Sequence, residues 1–192
     1  MRVIAGKAKG LPLVAPRGRH TRPTSDRVKE AVFSTLQDKI PGALVLDLFA
    51  GSGALGIEAL SRGAKKAVFV EKERRSLRCL RANLQKAGMS LQAEVLAADV
   101  LRYLREAQKV FFDLIFLDPP YSSQLGPKAL DLILTKNLLQ AAGCIVWEAP
   151  ADLAVLPLPG LQLWKKKIYG DTMIMYFQHA SEGEAYGYFR DA

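Results

Sequence analysis

The stretch Leu44-Val-Leu-Asp47-Leu-Phe-Ala-Gly51-Ser-Gly53-Ala-Leu-Gly56 decides the fold. A short apolar run that closes on an acid and breaks into glycines reads as a buried strand turning into a helix. Glycine there permits a tight turn and lets a ligand approach the backbone, while the helix N-terminus offers unpaired N–H groups. Outward from this junction the alternation continues. Ala67–Val70 is a second apolar run, followed by a helix with Leu77, Leu80, Leu84 and Ala87 on one face. Leu91–Ala97 is a third, with a helix over Val100–Ala107. Phe112–Leu117 is a fourth, with a helix near Lys128–Leu139, and Cys144–Trp147 is a fifth. Such alternation predicts βαβ units, hence an α/β, doubly wound fold with a mostly parallel sheet and helices on both faces. Leu161–Ile168 and Thr172–Phe177, joined through Tyr169-Gly170-Asp171, read as a C-terminal antiparallel hairpin that completes a seven-stranded sheet.

Upstream, residues 2–5 and 11–14 are β-prone pieces around Gly6-Lys7-Ala8-Lys9-Gly10, a small N-terminal β-hairpin. Pro16, Gly18 and Pro23 mark a loop. Thr24-Ser25-Asp26 then supplies the N-cap of a helix carrying Val28, Val32, Thr35 and Leu36, which Pro41-Gly42 ends. The expected organisation is a basic arm at 1–23, one doubly wound domain at 24–177, and a loosely held tail at 178–192.

Composition sets the outer bounds. The 192 residues are 49% hydrophobic and 24% charged, as in a soluble globular domain. No apolar run approaches the roughly 20 residues of a membrane span, and the basic start has no apolar stretch of a signal peptide. Cys79 and Cys144 sit in core segments, which fits a reducing cytoplasm. His20 and His179 are far apart, so no metal site is expected.

The net charge of +8 is concentrated. Residues 1–30 hold eight Lys/Arg against two acids, and residues 65–86 the same, leaving −4 for everything else. Two basic segments on an acidic body suggest a polyanion docked on one face. Solvated surface is the bland alternative, and it suits a basic helix better than the first segment, where basic residues alternate with Gly and Pro. Arg2, Lys7, Lys9, Arg17, Arg19 and Arg22 are the candidate nucleic-acid contacts.

The glycines formally spell G-x-G-x-x-G, with Glu71 twenty residues after Gly51, the dinucleotide fingerprint of a nicotinamide oxidoreductase. Asp47 argues against that, because a carboxylate four residues before the first glycine crowds a pyrophosphate with negative charge. It suits a ligand bearing an ammonium group. S-adenosylmethionine has an ammonium, a sulfonium and ribose hydroxyls, and no phosphate. Glu71 then accepts from the ribose hydroxyls, and Asp99, after the third strand, lies where it meets the adenine amino group. An ordinary helix N-cap explains one such acid well and three poorly.

The chemistry is written in Phe112-Asp-Leu-Ile-Phe-Leu-Asp118-Pro119-Pro120-Tyr121. Prolines fix φ and donate no N–H, so the Pro119 carbonyl is held beside the Asp118 carboxylate. Two acceptors at fixed separation match the two hydrogens of an –NH2 group. On a nucleobase that amine is a poor nucleophile, and paired hydrogen bonds aim its lone pair and stabilise the charge developing on nitrogen. Tyr121 stacks on a base that has left its helix or loop.

On these residues the sequence resembles class I S-adenosylmethionine-dependent methyltransferases that modify exocyclic amines. More narrowly, it is similar to the bacterial 16S rRNA (guanine(966)-N2)-methyltransferase family over about residues 2–177. Arg2-Val-Ile-Ala-Gly-Lys7, Arg22-Pro-Thr-Ser-Asp-Arg-Val-Lys-Glu30 with Phe33, Asp47 to Gly53, Asp118 to Tyr121 and Tyr169-Gly-Asp-Thr172 carry the likeness. The resemblance implies a Rossmann-like fold, S-adenosyl-L-methionine as cofactor, and ribosomal RNA as partner, naked or in a partly assembled small subunit. It implies Thr24 and Phe33 in the cofactor wall, Asp47, Gly51, Gly53, Glu71, Asp99 and Asp118 as its contacts, and Asp118, Pro119 and Tyr121 as the catalytic loop. A cytoplasmic monomer is expected. Two rivals stand: an N6-adenine methyltransferase on DNA or RNA, because Asp-Pro-Pro-Tyr does not name the base, and a non-catalytic RNA-binding assembly factor.

Overall fold

A computed structural model describes residues 1–16, 26–108, 110–120, 124–154 and 158–180 of the chain. Its elements are α1 (Asp26–Thr35), β1 (Leu44–Leu48), α2 (Ala54–Ser61), β2 (Lys66–Glu71), α3 (Arg74–Lys86), β3 (Ala93–Ala97), α4 (Val100–Glu106), β4 (Phe112–Leu117), α5 (Leu125–Thr135), β5 (Leu139–Pro150), β6 (Leu161–Tyr169) and β7 (Thr172–His179). The strands form one sheet in the order β3-β2-β1-β4-β5-β7-β6. The first five run parallel, and β7 lies antiparallel between β5 and β6. The order reverses between β1 and β4, so the crevice at the carboxyl ends of these strands is the switch point where such sheets bind ligands.

Alternation along the strands sorts the core into two layers. Val45, Phe69, Leu114, Phe116, Cys144, Val146, Ile174 and Tyr176 pack with α1, α2 and α3. Leu46, Val70, Ile115, Leu117, Ile145, Trp147 and Met175 pack with α4 and α5. The period of two carries Asp47, Glu71, Asp118 and Glu148 onto the α1–α3 face. They stand at the carboxyl ends of four neighbouring strands.

The N-terminal segment, expected as a small β-hairpin, is held against the domain. It makes one antiparallel bridge, Arg2 to Pro12, and it is docked. Val3 and Leu13 are buried in the α1–α3 core layer. The buried Glu58 carboxylate accepts from the Ile4 and Ala5 N–H groups at 2.7 and 3.0 Å and pairs with Lys29 and Arg62. Lys29 also donates to the Arg2 carbonyl, and burial lowers its ammonium below the ordinary lysine range against the pull of Glu58. Gly6, at φ +83, lies so close to α2 that a Cβ would fall 1.9 Å from the Ser61 carbonyl oxygen.

Several boundaries shift. α5 ends at Thr135 rather than Leu139; Asn137 turns the chain at φ 50, and β5 starts at Leu139, paired with Phe112. β7 runs to His179, which pairs with Leu161, so the domain extends past 177. Residues 181–192 of the expected tail lie outside the described residues.

Candidate active site

The first crossover makes the floor of the crevice. After β1, Phe49 takes φ 62, an uncommon region for a non-glycine residue. A Cβ on Gly51 would find only the Phe49 carbonyl oxygen, at 3.9 Å, so open space remains there for a ligand. Gly53 and Gly56 serve packing instead: a Cβ would sit 2.3 Å from the Leu80 side chain and 2.3 Å from the Phe69 ring, respectively.

Asp47 lies under this loop, only 2% exposed, with Oδ2 accepting from the Gly56 N–H at 2.9 Å. Burial pushes its carboxyl up to about 7 against that hydrogen bond, and the charge of Glu71 adds to the push. Asp47, expected to meet the cofactor's ammonium, is thus a buried carboxyl beneath the loop. Glu71 accepts from the Gly51 N–H at 2.8 Å and the Glu73 N–H at 2.7 Å, tying the first loop to the second. A carboxylate has about four lone-pair sites, so ribose hydroxyls still fit beside those donors.

Asp99 is the N-cap of α4. Its Oδ1 accepts from the Leu101 and Arg102 N–H groups, and Oδ2 pairs with Lys72 at 3.2 Å. Burial alone would raise its carboxyl; the N–H groups and Lys72 outweigh it and hold the group below the usual carboxylate range. Phe33, expected in the cofactor wall, is fully buried instead, its ring 5.6 Å from Phe116 with the Arg62 guanidinium 5.0 Å over it.

On the other side of the switch point, β4 delivers Asp118 and the buried Pro119. Leu117 pairs with Trp147, so Asp118 stands next to Glu148, itself 8% exposed. Burial first, then Glu148, then Asp47, raise the Asp118 carboxyl well above the carboxylate range. Glu148 follows the same pattern as Asp47, an acid closing an apolar run, and becomes visible once β5 is carried past Trp147. Tyr121 and Thr24 lie outside the described residues, as do Arg17, Arg19 and Arg22. Arg2 is exposed and pairs with Asp26 at 3.3 Å; Lys7 and Lys9 are exposed on the docked hairpin. Among the described residues, no group of three His, Cys, Asp or Glu is placed to hold a metal, and no helix is long and apolar enough to cross a membrane.

The chain is similar to two proteins named ribosomal RNA small subunit methyltransferase D. One, from Haemophilus influenzae, is 38% identical over 181 residues, covering 93% of this chain and 94% of the relative. The other, from Escherichia coli K12, is 34% identical over 189 residues, covering 96% and 93%. A solved structure of a hypothetical protein from Thermus thermophilus superposes with a TM-score of 0.81 at 35% identity, covering 93% of this chain and 99% of that one. The seven-stranded, mostly parallel sheet with its antiparallel end is that of a class I methyltransferase, an enzyme that takes its methyl group from S-adenosylmethionine. The chain belongs to the family described as conserved hypothetical protein 95, whose model matches residues 1–178 and which includes ribosomal RNA small subunit methyltransferase D. The donor set fits that cofactor: open space over Gly51, carboxylates at Asp47 and Glu71, and no Lys or Arg between residues 47 and 56 to hold a phosphate.

Proposed function

We propose that the protein methylates the exocyclic N2 amino group of a guanine in small-subunit 16S ribosomal RNA, at guanine 966. The observation that carries the choice of base is the pair Asp118 and Glu148, side by side at the ends of β4 and β5. Guanine presents two neighbouring donors on its Watson–Crick edge, the N1–H and the N2 amine. Adenine presents its N6 amine beside N1, whose lone pair a second carboxylate would repel. Two adjacent acids therefore favour guanine. The names of the relatives support ribosomal RNA as the substrate, and the basic surface suits a polyanion.

The residues divide the work. When bound, S-adenosylmethionine supplies an electrophilic methyl group on its sulfonium. Gly51 and Gly53 shape the loop beneath it, Glu71 accepts from its ribose hydroxyls, and Asp47 places buried negative charge under the cationic end. Thr24 belongs to the wall around it. Asp118 and the Pro119 carbonyl hold the guanine amine by its two hydrogens, Glu148 accepts from N1–H, and Tyr121 stacks on the base. Asp118 takes the proton that the methylated nitrogen sheds, a protonated form that burial and the neighbouring Glu148 favour.

The test uses labelled cofactor with DNA, naked 16S rRNA and partly assembled small subunits, followed by nucleoside analysis. N2-methylguanosine in rRNA is the expected product. N6-methyladenosine would overturn the choice of base, and transfer to none of the three would favour the non-catalytic assembly factor. Such a substrate places the protein in the cytoplasm.

A further inference from the structure

The crevice divides at β1 and β4. Asp47, Glu71 and Asp99 belong to the β1–β3 side, whereas Asp118 and Glu148 belong to β4 and β5. RNA that brings a base to Asp118 therefore crosses the β4–β5–β7–β6 half. The basic face of α3, packed on β3, is on the wrong side of the molecule for this.

The far edge on the correct side is β6, which carries Trp164-Lys165-Lys166-Lys167-Ile168. A register shift between Leu163 and Lys165 inserts Trp164 as a bulge, and bulges re-aim side chains. The Trp164 ring meets Tyr176 edge-on, with centroids 6.0 Å apart at 80°. Lys165 Nζ lies 5.9 Å from the Trp164 centroid and donates to Thr35 Oγ1 at 3.3 Å. Trp164 nonetheless remains 44% exposed and Ile168 55%. Edge strands carry lysines and bulges to discourage pairing with another sheet. That accounts for the lysines and the bulge, and leaves an exposed tryptophan beside them without a reason.

β6 also points at the site. Tyr169 pairs with Thr172, and Thr172 lies beside Pro150, two residues past Glu148. From Trp164 to Tyr169 the strand climbs about 17 Å at about 3.3 Å per residue.

We propose that the β6 edge is a docking track for single-stranded RNA, with Lys167, which shares the sheet face of Trp164 and the site acids, neutralising a phosphate and Trp164 stacking on an unpaired base. Lysines beside an aromatic platform are the chemistry that holds single strands irrespective of sequence. The inference rests on RNA being the substrate.

The experiment measures binding of a 16S rRNA fragment and of the small subunit over a salt series, with methyl transfer alongside. Lys167→Ala should flatten the slope of log affinity against log salt by about 0.7 units, the loss of one phosphate contact. Trp164→Ala should weaken binding by about tenfold or more with the slope unchanged, and Trp164→Phe should recover most of that. In each variant KM for RNA should rise while kcat at saturating RNA and affinity for S-adenosylhomocysteine stay at the wild-type level, which also reports correct folding. Unchanged slope and KM, with wild-type enzyme binding and methylating the RNA, would overturn the track alone. Loss of affinity confined to the assembled subunit would assign the edge to a ribosomal protein and overturn the RNA assignment. Failure of the wild-type protein to methylate any RNA would remove the underlying reading, and the track with it.

Discussion

The two sides of the switch point hold their acids in opposite ways. On the β1–β3 side, Glu71 accepts from Gly51 and Glu73, and Asp99 from Leu101 and Arg102, so backbone N–H groups fix each carboxylate before any ligand arrives. On the β4–β5 side, Asp118 and Glu148 are pressed together by the strand register, and the charge of one raises the other's carboxyl. Asp47 sits between these regimes, hydrogen-bonded to Gly56 yet pushed up to about 7. The fold thus builds a rigid cradle on one side and stores electrostatic tension on the other. A cradle suits a cofactor of fixed shape, whereas tension is relieved when amine and N–H donors, or a developing positive charge, arrive between the acids.

If the tension is catalytic, the largest effect falls on Asp118. Asp118→Ala should cut single-turnover methyl transfer about 10²-fold or more, the scale for deleting a preorganised transition-state contact. Asp118→Asn keeps an acceptor oxygen without the charge and should retain more activity than Ala. Cofactor affinity should stay within a few-fold in both. Near-normal rates for Asp118→Ala would erase the distinction between the two sides.

Asp47 sharpens the comparison through pH. Its folded carboxyl, at about 7, lies above the unfolded value of 3.8, so the unfolded chain gives up this proton first. Stability without cofactor should therefore fall as pH rises from about 4 to about 7 and level off above. The shift corresponds to about 4 kcal/mol. Asp47→Asn should melt higher than wild type at pH 8 while binding S-adenosylmethionine more weakly. In the wild type, cofactor affinity should climb with pH up to about 7, by up to about tenfold per unit for one released proton. Calorimetry in buffers of different ionisation enthalpy counts that proton; a flat profile would mean that Asp47 is charged in both states.

Glu71 tests the cradle itself. Glu71→Ala removes the acceptor of the Gly51 N–H and, on the proposed binding mode, of the ribose hydroxyls, and should weaken S-adenosylmethionine by about 1–3 kcal/mol. NADH binding more tightly than S-adenosylmethionine in the same titration would restore the dinucleotide reading of the glycines.

The sheet was legible because each βα junction carries its own signal, an apolar run closing on Asp47, Glu71 or Asp118 and a break after it. Where that signal is diluted, reading fails. Leu138 to Ala142 joins apolar residues and good helix formers, so the sequence extends α5 and hides the first residues of β5, whose start is fixed by pairing with Phe112. Glu148 stays hidden with the end of the same strand. Glu58 and Lys29 look like exposed helix charges, because their partners are backbone groups 54 and 27 residues away. The docking of the basic hairpin is hidden for the same reason: what holds Ile4-Ala-Gly-Lys7 is a carboxylate in a helix not adjacent in sequence.

The smallest effect is expected at Asp99, and it decides what a strand-end acid on the cradle side does. Its two oxygens are committed, one to the Leu101 and Arg102 N–H groups and one to Lys72. Loss of an N-cap by substitution to alanine usually costs about 1 kcal/mol, whereas Ser preserves the cap. Asp99→Ala should therefore lower stability by about that amount, and Asp99→Ser should restore most of it. If capping is its whole function, both variants keep S-adenosylmethionine affinity within about threefold, because the helix end and not the carboxylate bounds the adenine side. A loss of tenfold or more in Asp99→Ser, with the melting temperature intact, would show that Oδ2 leaves Lys72 for the adenine amino group.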